Sequence, residues 1–228
     1  MATFVLVPGA DGRAWGWHRL VPELRARGHE AVTLDLPEDS AADLDAYADA
    51  IVAACGDVDR LARPLVLVAL SLAGFSAPLA CERLRADRLV LLNAMVPLPG
   101  ETAGEWWDHT GQQAAREAYA REEGRDTAFD VRVDFFHDVP QEITEEAMNS
   151  APSGGAPERV FTQPWPLTAW PDVPTRFLQG AQDRFFPLEF QRRLGKERIG
   201  VDVEELPGGH LLALSRPREL AQALVRDV

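Results

Sequence analysis

Six short apolar runs, rich in Val and Leu, recur along this chain at 3–7, 31–36, 65–70, 89–93, 175–179 and 201–205. Most are nearly continuous rather than alternating, as strands covered on both faces must be. Longer amphipathic stretches separate them, with helix patterns at 15–27, 44–54, 72–85, 188–195 and 218–225. Gly28 stands where the first helix needs a C-cap, and Pro187 and Pro217 open later ones. Strand–helix alternation of this kind predicts an α/β fold with a mostly parallel, doubly wound sheet of about six strands.

The alternation stops between the fourth and fifth runs. Pro97, Pro99 and Gly100 open a stretch with helical patterns near 105–122 and 142–149 and a Pro- and Gly-bearing segment at 151–157. Four prolines then fall between Pro164 and Pro174. Structureless loops of such length are rare inside a domain. The expectation is therefore a helical cap inserted at 97–171, with 1–96 and 172–228 forming the α/β core.

The segment Val66-Leu67-Val68-Ala69-Leu70-Ser71-Leu72-Ala73-Gly74-Phe75 runs a buried strand into a serine and then into a helix. Only small residues stand two positions either side of the serine. A serine on a strained strand-to-helix turn needs this, because bulky neighbours there would strike adjacent backbone. The helix N-terminus behind it favours negative charge developing at the hydroxyl. The same pattern also suits a plain helix N-cap serine. A second strand end, Val7-Pro8-Gly9-Ala10-Asp11-Gly12, supplies free backbone N–H groups at the same sheet edge. That turn suits an anion, a phosphate or a merely structural role, although the glycine spacing of a dinucleotide site and the Gly-Lys-Ser/Thr of a P-loop are missing.

The first of these segments resembles the nucleophile elbow of the α/β-hydrolase family, usually Gly-x-Ser-x-Gly, with Ala69 and Ala73 in place of the two glycines. The second, with Trp15 and Trp17 after Gly9, is similar to the oxyanion loop of the branch that holds plant methylesterases, hydroxynitrile lyases and small bacterial carboxylesterases. Pro8 stands where that branch has a histidine. Gly180-Ala181-Gln182-Asp183 resembles the family's acid loop, and Pro207-Gly208-Gly209-His210 its histidine loop. The order Ser, Asp, His is the family's chain order. The resemblance implies Ser71 as nucleophile, His210 as general base and Asp183 as the acid that orients it, with the N–H groups of Ala10 and Leu72 as oxyanion hole. It implies a serine hydrolase, most simply a carboxylesterase of a small hydrophobic ester, working without metal or organic cofactor. Hydroxynitrile lyases of the branch carry a lysine after the histidine and a threonine in the oxyanion turn. Leu211 and Gly9 occupy those places, and the one lysine, Lys196, lies elsewhere. The alternatives are a non-hydrolytic member of the fold, lyase-like or a cofactor-free enzyme, and a ligand-binding receptor.

Gly9, His18, Trp106, Trp107, Phe135 and Leu211 are expected to line the substrate pocket, the aromatic residues supplying an apolar lid. A small hydrophobic molecule is the expected partner. A formal charge of −13 repels phosphate backbones and argues against nucleic acid and anionic membranes. Neither a signal peptide nor a membrane-spanning run is apparent, and Cys55 and Cys81 read as buried free thiols, so a cytoplasmic monomer or homodimer is expected.

Overall fold

The structure of the chain is a computed structural model that describes residues 1–150 and 154–228. One sheet holds six strands: β1 (Thr3–Val7), β2 (Glu30–Thr33), β3 (Leu65–Leu70), β4 (Arg88–Leu92), β5 (Thr175–Gly180) and β6 (Val203–Leu206). Their order is β2-β1-β3-β4-β5-β6, and every pairing is parallel. The expected mostly parallel sheet is thus wholly parallel.

Period-two alternation sends the side chains of each strand to two different cores. Val5, Val7, Leu65, Leu67, Leu89, Leu91 and Phe177 pack with helices α2 (Leu44–Cys55), α3 (Ala73–Leu84) and α9 (Leu188–Ile199). Phe4, Leu6, Val66, Val68, Val90, Leu92 and Leu178 pack with α1 (Leu20–Ala26), α10 (Leu212–Ser215) and α11 (Pro217–Leu224) on the other face. Because both faces are covered, the strands need apolar residues at every position. That is why the runs in the sequence are continuous.

Several boundaries differ from expectation for local reasons. β2 ends at Thr33, because the chain then leaves the ladder and gives the Leu36 N–H to the Gly12 carbonyl at 2.7 Å. β6 starts only at Val203, since the Val201 N–H instead closes the end of α9 on the Gly195 carbonyl. The expected helix at 15–27 is a 3₁₀ turn (Ala14–Trp17) followed by α1. Pro22 lacks an N–H and its ring would strike the carbonyl four residues back, so one continuous helix cannot form.

Between β4 and β5 the chain builds α4 (Ala103–Thr110), α5 (Gln112–Glu122), α6 (Val131–Asp134), α7 (Gln141–Asn149) and α8 (Glu158–Thr162). The expected helix at 105–122 is broken at Gly111, whose φ of 69° ends one helix before the next begins. A capping box between Thr102 and Glu105 opens α4. Part of the expected Pro- and Gly-bearing segment, 151–153, lies outside the described residues. This stretch shares the core of the sheet: Ala103, Trp106, Val160 and Trp165 join Phe75, Ala77 and Phe186 in one apolar cluster. Trp165 donates its indole N–H to the Phe75 carbonyl at 3.0 Å, and the buried pair Arg198–Glu101 ties α9 to the segment before α4. Among the described residues, no helix is long and apolar enough to cross a membrane.

Candidate active site

The strand order reverses between β1 and β3: the chain leaves β1 for β2 on one side and returns to β3 on the other. In open parallel sheets the crevice at such a switch point, at the carboxyl ends of the strands, is where ligands bind. Gly9 and Ala10 follow β1 there, and Ser71 follows β3.

Ser71 has φ of 53°, in the left-handed region that costs a non-glycine residue about 1–3 kcal/mol. The turn is held from both sides. The Ser71 N–H reaches the Leu92 carbonyl at 3.2 Å, and the Ser71 carbonyl accepts from Gly74 at 3.1 Å and Met95 at 3.0 Å. Two glycines make this approach possible. A side chain on Gly9 would begin 3.2 Å from the Ser71 Cβ, and one on Gly74 would begin 1.8 Å from the Met95 carbonyl oxygen. The close backbone approach therefore falls on Gly74, one residue past the place where the family motif has its second glycine. Ala69 and Ala73 are buried without difficulty. Gly12 closes the β1 turn by bonding the Gly9 carbonyl, while among the described residues neither Ala10 nor Leu72 gives its N–H to a backbone turn or loop bond.

Asp183 and His210 meet 27 residues apart in sequence, with Nδ1 of His210 2.8 Å from Oδ2 of Asp183. Asp183 is fully buried and His210 nearly so. The other carboxylate oxygen, Oδ1, accepts the N–H groups of Phe185 at 2.8 Å and Phe186 at 2.9 Å, and Oδ2 also accepts from the Gln179 amide at 3.1 Å. Both carboxylate oxygens are thus engaged, and the imidazole is held at Nδ1, which leaves Nε2 as the ring nitrogen not bound to Asp183. Rings of Phe135, Phe185 and Phe186 surround the imidazole, with centroids 4.8, 5.5 and 5.3 Å away. No hydrogen bond joins the Ser71 hydroxyl to His210 among the described residues.

Asn93 was not singled out by its sequence, which places it as the last residue of an apolar run. It is fully buried with φ of 46°. Its amide nitrogen donates to the carbonyls of Gly209 at 3.0 Å and His210 at 2.7 Å, and its oxygen accepts the Gly180 N–H at 2.8 Å. One side chain at the end of β4 thereby joins the acid loop to the histidine loop. Gly180 lets those loops touch, since a side chain there would begin 2.3 Å from the Gly209 carbonyl oxygen. Gln182 adds a further bond, accepting the Gly208 N–H at 2.6 Å.

The expected pocket residues are divided. Gly9 and Phe135 lie against Ser71 and His210 respectively, and half-buried Leu211 follows the histidine. Trp107 packs on Phe185 and lines, with Gln112, Arg116 and Phe129, a surface groove of about 620 Å³. His18 is exposed beside the β1 turn, its Nδ1 2.8 Å from the carbonyl of Trp15 in the preceding 3₁₀ turn. One expectation fails. Trp106 is sealed into the core with its indole N–H on the Val96 carbonyl at 3.1 Å, because the apolar cluster beneath α4 claims its ring. Among the described residues, no three His, Cys, Asp or Glu side chains gather as a metal site.

Comparison with known proteins agrees with this architecture. The "Probable esterase PIR7A" of Oryza sativa subsp. indica is 29% identical over 275 aligned positions, covering 98% of this chain and 95% of the rice protein. Among solved structures, polyneuridine aldehyde esterase superposes with a TM-score of 0.77 at 22% identity, covering 99% of this chain and 98% of that one. The methylesterase MES16 from Arabidopsis does so with 0.72 at 22% identity, covering 99% and 98%. A model of the "Alpha/beta hydrolase family" matches residues 4–223. The sheet, its switch point and this match together make the chain a member of the alpha/beta hydrolase family.

Proposed function

We propose that the chain is a carboxylesterase that cleaves a small hydrophobic ester through an acyl-enzyme on Ser71, with His210 as base and Asp183 as its orienting acid. The observation that carries this reading is the buried Asp183–His210 pair, joined through Nδ1 and standing past β6 at the same carboxyl edge of the parallel sheet where Ser71 follows β3. Nε2 takes the hydroxyl proton as Ser71 Oγ attacks the ester carbonyl. Asp183, held in place by its backbone and amide donors, stabilises the imidazolium without taking its proton. The N–H groups of Ala10 and Leu72 receive the oxyanion, and the left-handed turn at Ser71 keeps the nucleophile beside them. The imidazolium then protonates the departing alkoxide, and water activated by the same base frees the acid. The hydroxyl and imidazole come within bonding distance when substrate fills the crevice, as catalytic hydrogen bonds often tighten only in the complex.

The names of the relatives support an ester as substrate. The ring cluster around His210 supports an apolar acyl or alcohol group, and residues 97–171 act as the cap that carries Trp107 and Phe135 to the site. The test is a p-nitrophenyl ester panel with fluorophosphonate labelling. Turnover of short-chain esters and labelling at Ser71, both lost in Ser71→Ala, are expected. A folded protein that turns over no ester and takes no label at Ser71 would overturn the reading.

A further inference from the structure

The histidine loop is gripped by four side-chain bonds. Three come from core residues, two from Asn93 and one from Gln182. The fourth comes from the insertion: Asp138, between α6 and α7, accepts the Gly209 N–H through Oδ2 at 2.8 Å. The same short segment also supplies Phe135, whose ring lies on the His210 imidazole. The fit around Gly209 is close. A side chain there would begin 2.5 Å from His137 Nε2 and 2.8 Å from Asp138 Oδ1. Both of those atoms are buried and have no hydrogen-bond partner. A buried carboxylate oxygen and a buried ring nitrogen left unsatisfied are costly, and such groups persist where a constraint holds them.

We infer that Asp138 is a positioning residue: through the Gly209 N–H it fixes the backbone immediately before His210, so that the insertion sets the direction of the catalytic imidazole. This rests on the reading of His210 as the base. The Gly209 amide has one hydrogen to give, and the native state gives it to Asp138 across 71 positions of sequence. Without that acceptor, the Gly208–Gly209 pair regains the backbone freedom for which glycine is suited, and the imidazole inherits it. Displacement of a catalytic group by about 1 Å can cost a hundredfold in rate. Asparagine offers an oxygen of the same reach to the Gly209 N–H. Its amide nitrogen would then lie where Oδ1 now stands, beside the unpaired His137 Nε2.

The test compares Asp138→Ala and Asp138→Asn in the full chain, with His210→Ala alongside. Three quantities are read: kcat per titrated serine, KM, and the downfield proton NMR signal of the His210 Nδ1–H held by Asp183. In Asp138→Ala, kcat is expected to fall by about tenfold to a hundredfold with KM changed less than about twofold. The downfield signal broadens or vanishes through exchange. Asp138→Asn restores the signal and brings kcat back to within about threefold of the parent. A purely structural contribution would lower the thermal midpoint of Asp138→Ala while leaving kcat per titrated site and the signal intact, and that result would overturn the inference. Ester turnover surviving in His210→Ala would instead sink the reading of His210 as base. The proton signal in Asp138→Ala would still decide whether Asp138 positions the ring.

Discussion

The two halves of the site are built by opposite means. The Ser71 half is made by taking side chains away. Gly9 and Gly74 leave room for a strained backbone turn, and nearly all its bonds are between main-chain groups. The His210 half is made by adding side chains, because Asn93, Gln179, Gln182 and Asp138 each spend a polar atom on the two loops. A strained turn must resist relaxing, so its neighbours need to be small and rigid. An imidazole carried on a glycine-bearing loop is aimed only where its neighbours hold that loop by directional bonds. The first half is sensitive to added volume, the second to lost hydrogen bonds.

Those opposite sensitivities can be broken experimentally. The largest effect joins the halves: Ser71→Ala and His210→Ala are each expected to lower kcat on an ester by at least about 10⁴-fold, and the double variant little further, because such residues act as a unit. Equal, additive losses would separate them. Next, Gly74→Ala places a methyl 1.8 Å from a backbone oxygen, which cannot swing away as a side-chain end would. A loss of about 3 kcal/mol in urea unfolding is expected. Asn93→Ala tests the other half. It strands the buried Gly180 N–H and the carbonyls of Gly209 and His210, for an expected loss of about 2 kcal/mol and a fall in kcat larger than the change in KM. A Gly74→Ala protein as stable as the parent, or an Asn93→Ala protein with full kcat, would erase the distinction.

The smallest effect is one of pH. Burial holds the His137 imidazole below its ordinary value of 6.5, outweighing the opposing pull of Asp138. The folded state therefore prefers the neutral ring. As pH falls below 6.5 the unfolded chain takes up the proton first, so this contribution is intact above 6.5 and is lost toward the lower folded value. Urea midpoints at pH 7.5 and about 5.5 should differ less in His137→Gln than in the parent. The slope that remains belongs in part to His29, which burial pushes the same way. An unchanged slope would show that His137 is not buried as a neutral group.

The two halves also differed in how far they could be read from the chain. Gly9, Ala69, Ser71, Ala73 and Gly74 lie in two short strand-to-helix segments, where local sterics leave their mark on local sequence. His210 and Asp183 were legible as strand-end residues in the family's order. The side chains that aim them were not, because Asn93 reads as the tail of an apolar run and Asp138 as one acid among 36 acidic residues. Trp106 was misplaced for a related reason. Its type suggests a pocket, but whether an aromatic ring faces the crevice or the core depends on which helix packs above it.

Sequence alone determined the parallel sheet, its interruption and the order of the expected nucleophile, acid and base, because strand burial and turn sterics act within a few residues. Only the tertiary structure decided that Gly74 carries the close approach to Met95, and that Asn93 and Asp138 hold the histidine loop from 116 and 71 positions away. A hydrogen bond is directional and short-ranged in space. It has no period along the chain, so nothing in the local pattern announces its partner.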